Sequence, residues 1–183
     1  MNYFTNIKGL AELEQQEKWD DVRKLLYEIW VNDKLDNGKL IRLLSECWYL
    51  LAEWDCWVKG GEQSFKTFKN VLIECTEFGM KNFMNNPRFL CVAGYMITMF
   101  PYLFFWNGTD RLYTEWEKKG AHMLRKAYEL DPLDKVIEIL NLGCASDLQE
   151  YNKAKKSIQP ELEKIFPGDT EIEIYFKAIM SIK

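Results

Sequence analysis

The chain has the residue types of a thiol or imidazole catalyst, but their spacing selects no site. It contains one histidine, His122, and five cysteines: Cys47, Cys56, Cys75, Cys91 and Cys144. A Cys–His pair could act as nucleophile and base, and His122 could bind zinc together with distant thiolates or carboxylates. No cysteine pair has CxxC spacing, and each cysteine lies in an apolar, helix-like context. We therefore expect reduced core cysteines, no metal site, and a structural or surface role for His122.

The standard cofactor and catalytic motifs are absent from the sequence. The segment Gly60-Gly61-Glu62-Gln63-Ser64 lacks the lysine and glycine spacing of a phosphate-binding loop, and no GxSxG, GxGxxG or HExxH motif occurs. Runs of carboxylates near both ends fit helix starts, where negative charge is favourable, or an acidic surface that steers a basic partner. The sequence therefore predicts no enzyme and no cofactor.

The segment KLIRLLSECWYLLAEWDCWVKG carries a single polar stripe along a mostly apolar helix. Arg42, Glu46, Tyr49, Glu53 and Trp57 follow one another by four, three, four and four residues, which places them on one face. One interpretation is a central helix with a thin exposed edge. The other is a recognition edge, since rigid aromatic residues among carboxylates are typical of interface hot spots. The last four residues of the stripe are therefore predicted to bind a partner.

A second candidate surface follows from an uncharged run between Phe89 and Thr109. Pro101 interrupts this run, so the helix before it has about 13 residues and a length near 20 Å, too short to cross a membrane. We interpret that helix as part of a soluble core. The five large apolar residues Tyr102–Trp106 cannot all face one core, so they either cap it or meet a partner. Tyr102 and Trp106 are predicted as partner-binding residues.

Composition excludes several classes of protein. The chain has 183 residues, of which 48% are hydrophobic, and its 24 basic and 28 acidic residues give a net charge of −4. Nucleic-acid binding needs clustered Lys and Arg, so we expect no such ligand. The first residues show no basic and apolar signal sequence, and no segment fits a membrane span. We therefore expect a cytoplasmic protein.

Apolar residues recur at the helical period throughout, which predicts one all-α domain over residues 1–183 with about nine helices and no strand. The first helix is predicted at about Tyr3–Lys18, and Pro160 is expected to kink or split a late helix. The segment Glu171–Tyr175 could alternate as a strand, but its capping box favours a helix. Predicted helix starts are Asp36 or Asn37, Asn86-Pro87, Thr109-Asp110, Asp131-Pro132, Ser146 with Gln149, and Thr170 with Glu173.

Residues 120–135, GAHMLRKAYELDPLDK, resemble the second helix and exit turn of a tetratricopeptide repeat. Gly120, Leu124, Ala127 and Pro132 occupy the small, large, small and proline positions of that pattern. The resemblance implies antiparallel helical hairpins stacked as a short solenoid or a compact bundle.

We accordingly predict a non-enzymatic module that binds a protein partner. A small, acidic, aromatic-rich helical chain resembles the immunity proteins with which bacteria neutralise their own delivered toxins, of the contact-dependent growth inhibition type. That resemblance implies binding and occlusion of a cognate basic, nuclease-like toxin. The alternatives are a tetratricopeptide-like adaptor or chaperone that binds peptide tails, and an enzyme that uses His122 with a cysteine. The sequence leaves the oligomeric state open.

Overall fold

In the computed structural model the chain folds into α-helices, most of which pack against the next helix along the chain. The structure describes residues 3–58, 61–145 and 148–182, except the side chain of Trp57. Within these ranges there are ten α-helices and no strand, which confirms the all-α prediction. The first five are α1 (Leu10–Gln15), α2 (Trp19–Val31), α3 (Asn37–Ala52), α4 (Glu62–Asn82) and α5 (Pro87–Met99). The others are α6 (Asp110–Leu130), α7 (Lys135–Ala145), α8 (Leu148–Ile158), α9 (Leu162–Ile165) and α10 (Glu171–Met180).

The first part of the uncharged run, which belongs to α5, lies at the centre of the fold. Helix α5 is buried along nearly its whole length, and the indole N–H of Trp48 on α3 donates a hydrogen bond of 3.2 Å to the carbonyl of Met96. In the part of the chain that the structure describes, no helix is long and apolar enough to span a membrane. The lack of charge between Phe89 and the end of α5 is thus explained by burial among other helices, as predicted.

Two glycines allow α5 and α6 to form the most extensive helix pair of the fold. A Cβ atom on Gly94 would lie 2.9 Å from the carbonyl oxygen of Gly120, and one on Gly120 would lie 2.8 Å from the carbonyl oxygen of Gly94. Real Cβ atoms do not approach a backbone oxygen so closely, so only glycine at both positions permits this crossing. Gly120 is also the small residue of the tetratricopeptide-like pattern.

Three predicted helix starts are confirmed by side-chain caps. Asp36, Asn86 and Thr109 each accept a hydrogen bond from the backbone N–H three residues later, at 3.1, 3.0 and 3.3 Å. The prediction for Asp131 is wrong, because Asp131 ends α6. The cap of α7 is Asp134, whose carboxylate accepts from the N–H groups of Val136 and Ile137.

The remaining predictions about helix ends divide in the same way. Pro160 splits its helix, because the 3₁₀ turn Gln159–Glu161 separates α8 from α9. Ser146 lies outside the described residues. Thr170 begins α10, which confirms a helix over the segment that could have been a strand. Its hydroxyl donates to the Glu173 carboxylate at 2.6 Å instead of capping the backbone.

The predicted first helix is wrong in its first half. Tyr3 and Phe4 are buried in non-helical conformation, and α1 begins only at Leu10. The Tyr3 N–H donates 2.8 Å to the carbonyl of Ile165, and the Phe4 ring centroid lies 5.2 Å from that of Phe176. The start of the chain is therefore built into the C-terminal part of the core.

Candidate functional site

The polar stripe of α3 begins inside the protein. Arg42 lies among three carboxylates contributed by three helices, and we call these four residues the arginine cluster. Its Nη2 is 3.4 Å from Glu14 of α1 and 3.3 Å from Glu46 of α3, and its Nη1 is 3.6 Å from Glu173 of α10. Arg42 is 1% exposed and Glu46 is 0% exposed. The prediction that Glu46 contacts a partner is therefore wrong, because other helices cover it.

The arginine cluster has more acidic groups than its one guanidinium can neutralise. Burial, and then the nearby charge of Glu46, raises the pKa of Glu14 to about 8. Burial also raises the pKa of Glu46 to about 7, although Arg42 acts in the opposite direction. A carboxyl group without enough counter-charge keeps its proton when it is removed from water. The arginine cluster therefore holds a proton near neutral pH.

The arginine cluster joins the two ends of the chain through α3. The Glu14 carboxylate accepts a hydrogen bond of 2.7 Å from the N–H of Glu171 at the start of α10. Glu173 accepts from the N–H of Gly168 at 3.1 Å as well as from Thr170. These contacts give Glu14 and Glu173 structural roles, since each of the two carboxylates orders a neighbouring helix start or turn.

The middle of the stripe lies at the edge of the same helix interface. Tyr49 is half-buried, its hydroxyl donates to Glu171 at 3.4 Å, and its ring centroid is 5.6 Å from that of Tyr175. Glu53 is half-buried at the C-terminal end of α3. The side chain of Trp57 lies outside the described residues. Partner contacts by these three residues stay predictions.

The turn after α5 divides its five apolar residues between the core and the surface. Pro101–Phe104 form a 3₁₀ turn, in which Leu103 and Phe104 are buried. The Phe104 ring stacks on Trp116 of α6, with ring centroids 5.8 Å apart. Tyr102 and Trp106 are 48% and 43% exposed. The turn is therefore both a cap over the core and an exposed aromatic surface.

Trp106 is exposed but held in place by α4. Its indole N–H donates a 3.0 Å hydrogen bond to the side-chain oxygen of Asn70, and the Lys69 ammonium lies 4.3 Å from its ring centroid. The same ammonium donates 2.9 Å to the carbonyl of Tyr102. Burial lowers the pKa of Lys69. One lysine thus fixes both the turn and the tryptophan, so the indole loses little conformational freedom when a partner covers it.

A third aromatic residue extends this surface. Tyr113 of α6 is 40% exposed, and we call Tyr102, Trp106 and Tyr113 the aromatic face. Burial, then the Tyr113 hydroxyl and then the Asp55 carboxylate, raises the pKa of Tyr102, so both groups lie within electrostatic range of it. No pattern in the sequence indicated Tyr113, Lys69 or Asn70, because only the turn after α5 brings them near Tyr102 and Trp106.

An acidic depression lies on a neighbouring side of α4. Three carboxylates of the α1–α2 corner, Glu17, Asp20 and Asp21, and one lysine, Lys18, line a cavity of about 290 Å³ that we call the acidic notch. Its walls include Trp54 and Phe68, and the Lys69 that holds Trp106 is the next residue after Phe68. The notch thus combines an excess of negative charge with aromatic walls, and α4 contributes both to it and to the support of Trp106.

Among the described residues, no cluster of side chains matches the catalytic or metal sites that His122 and the cysteines could have formed. His122 is exposed on α6, and its imidazole forms no hydrogen bond with another described residue. Cys47, Cys75 and Cys91 are buried, whereas Cys56 and Cys144 are exposed, so the expectation of core cysteines is wrong for these two. No group of three His, Cys, Asp or Glu side chains among the described residues could hold a metal ion. Comparisons of the chain with protein-family models, curated proteins and solved structures found no match.

Proposed function

We propose that this protein is a non-enzymatic protein-binding module that contacts its partner through the aromatic face. The observation that carries the proposal is the state of Trp106, which is 43% exposed yet fixed by Asn70 and Lys69. Tryptophan and tyrosine supply a large share of binding energy at interfaces, most of all where they are rigid before binding. An exposed aromatic group that is held in place without a covering element fits this role.

The charge around the aromatic face favours a basic partner. The acidic notch has Glu17, Asp20 and Asp21 at its rim and indole and phenyl walls, which suit the stem and charged head of an arginine or lysine side chain. The chain as a whole carries a net charge of −4. Such a surface attracts a basic protein and speeds its association.

More narrowly, we propose an immunity protein that binds and occludes a basic, nuclease-like toxin. In this mechanism the acidic notch receives a basic side chain, the aromatic face covers the neighbouring surface, and the bound module blocks the toxin's active site. Inhibition then needs no catalytic group on this chain, which agrees with a role for the aromatic face as an anchor.

The test is binding to the product of a toxin-like gene adjacent to the gene for this chain, measured by calorimetry with purified proteins. We expect a stable complex and relief of growth inhibition on co-expression. Trp106→Ala should weaken binding at least about thirtyfold, since central aromatic anchors contribute about 2–4 kcal/mol. Leu133→Ala is the matched control, because Leu133 is a large apolar residue that is 90% exposed on another turn.

Two results would contradict the proposal. If Leu133→Ala and Trp106→Ala weaken binding equally, the aromatic face is not the anchor. If no adjacent toxin-like protein exists and no complex forms, the immunity function is wrong.

A further inference from the structure

A groove with apolar walls lies between the later helices of the fold. It consists of two adjoining depressions of about 600 and 750 Å³, which share Tyr151 of α8 and Ile179 of α10. The larger part of the first depression's wall comes from α5, α6 and α7, including Ile139 and Leu140. The second depression lies between α8 and α10, which pack mainly against helices other than each other. The groove therefore runs along sides of these helices that no other described element covers.

The rim of this groove is basic although the whole chain is acidic. Its charged lining residues are Glu117 and three lysines, Lys118, Lys155 and Lys156. Neither Lys118 nor Lys156 forms an ion pair with another residue of the described part of the chain. One acidic and three basic groups therefore give the groove a local excess of positive charge on a chain of net charge −4. A complementary occupant carries carboxylates beside an apolar surface.

The backbone of the walls narrows the choice of occupant. Most lining residues lie within α-helices, whose N–H and C=O groups are largely hydrogen-bonded within the same helix; Ser181 and Ile182 follow the end of α10. An extended peptide would find few backbone partners here and would lose those it makes with water. An amphipathic helix satisfies its own backbone and needs only an apolar groove for one face.

We propose that this lysine-rimmed groove binds an acidic amphipathic α-helix of a partner protein. The apolar face of that helix packs against Met99, Tyr151 and Ile179, which are partly exposed, and its flanking carboxylates pair with Lys118 and Lys156. This site goes beyond the proposed function, since it uses other residues than the aromatic face and takes a partner surface of opposite charge.

The experiment uses the full chain and a fluorescein-labelled synthetic peptide of about four helical turns, with leucines on one face and glutamates on the other. We expect saturable binding by fluorescence anisotropy. A peptide with lysine in place of every glutamate should bind at least about tenfold more weakly, since a tenfold change needs only about 1.4 kcal/mol.

Substitutions locate the binding on the protein. The double substitution Lys118→Glu and Lys156→Glu should weaken binding of the acidic peptide at least about tenfold. The control is Lys8→Glu with Lys164→Glu, which changes the net charge equally at exposed sites outside the groove and should have little effect on binding. Met99→Gln should also weaken binding, because it removes an apolar group from the wall at nearly constant volume.

Several outcomes would overturn the proposal. These are no binding of the acidic peptide, equal binding of the two peptides, or equal effects of the two double substitutions. Binding of phosphatidylserine vesicles without binding of the peptide would assign the groove to a lipid surface instead. None of these results depends on the aromatic face, so failure here leaves the proposed function to its own test.

Discussion

The arginine cluster and the aromatic face use charged and aromatic groups in opposite ways. In the arginine cluster, Arg42 is enclosed by carboxylates from three helices and has no access to solvent. At the aromatic face, the Lys69 ammonium contacts the ring of Trp106, while Trp106 stays 43% exposed. The first arrangement stabilises the fold, whereas the second presents a rigid group to a partner. Buried polar groups should therefore control stability here, and exposed aromatic groups should control binding.

The largest expected effect is that of Arg42→Met on stability. Removing one partner of a buried ionic group leaves uncompensated carboxylates, so we expect a loss of about 3–5 kcal/mol in the free energy of unfolding, measured by urea denaturation. Arg111→Met is the control, because Arg111 also pairs with a glutamate four residues later, at 2.8 Å, but on the surface. It should leave the urea midpoint unchanged. If both substitutions act alike, the arginine cluster does not stabilise the fold.

The next effect is a dependence of stability on pH that comes from the arginine cluster. The folded chain keeps a proton on Glu14 or Glu46, whose pKa values are raised to about 8 and about 7 from an ordinary value of 4.5. The unfolded chain releases that proton at lower pH, so the folded state binds more protons between about pH 5 and 8. Stability should therefore fall as the pH rises through this window, by about 1.4 kcal/mol per pH unit for each proton retained.

Thermal or urea unfolding across this pH range measures the slope. Glu46→Gln should flatten it, because the amide mimics the protonated acid and does not titrate. Glu163→Gln is the surface control, since Glu163 pairs with Lys177 at 3.1 Å but is largely exposed. A slope that neither Glu46→Gln nor Glu14→Gln changes would mean that the arginine cluster holds no proton near neutral pH.

The smallest expected effect on stability is that of the aromatic face. Trp106→Ala removes a half-exposed side chain with one hydrogen bond and one cation–π contact, so the loss should be about 1 kcal/mol or less. Phe104→Ala, two residues earlier, removes a buried ring and should cost about 3–5 kcal/mol. Urea midpoints of the two variants give the comparison. Equal losses would make Trp106 part of the core cap and would remove the main support for the aromatic face as a binding surface.

Local signals in the sequence were sufficient for most of the helices. Asn86 before Pro87 begins α5 as predicted, because a side-chain cap and the fixed φ of proline act within one turn. The predicted helix start at Asp131-Pro132 was wrong by a few residues, since Asp134, two residues after this proline, caps α7 instead. The predicted helix over residues 3 and 4 was wrong for a different reason. The burial of these two residues depends on Phe166 and Phe176, which are far away in the sequence.

The candidate site was less predictable than the helices. Five consecutive apolar residues cannot all face one core, so the sequence predicted that Tyr102–Trp106 cap the core or meet a partner, and the structure shows that Tyr102 and Trp106 are the more exposed ones. The stripe of α3 could not be assigned in this way, because a polar stripe on a helix can face water or another polar stripe. In the structure the stripe begins against another polar group, since Glu173 of α10 lies 3.6 Å from Arg42. That contact depends on how the last helix packs, and no spacing within α3 encodes it.

The helical class of this protein, the positions of most helices and the uncharged run that begins at Phe89 could be recognised from the amino-acid sequence, because periodicity, caps and proline act over a few residues. Packing between distant segments sets which polar residues are interior and which aromatic residues are exposed. This packing buries Glu46 beside Arg42, and it places Asn70 and Lys69 in contact with Trp106. The physical reason is that burial and hydrogen-bond partners are set by segments distant in the chain, whose arrangement minimises the free energy of the whole fold.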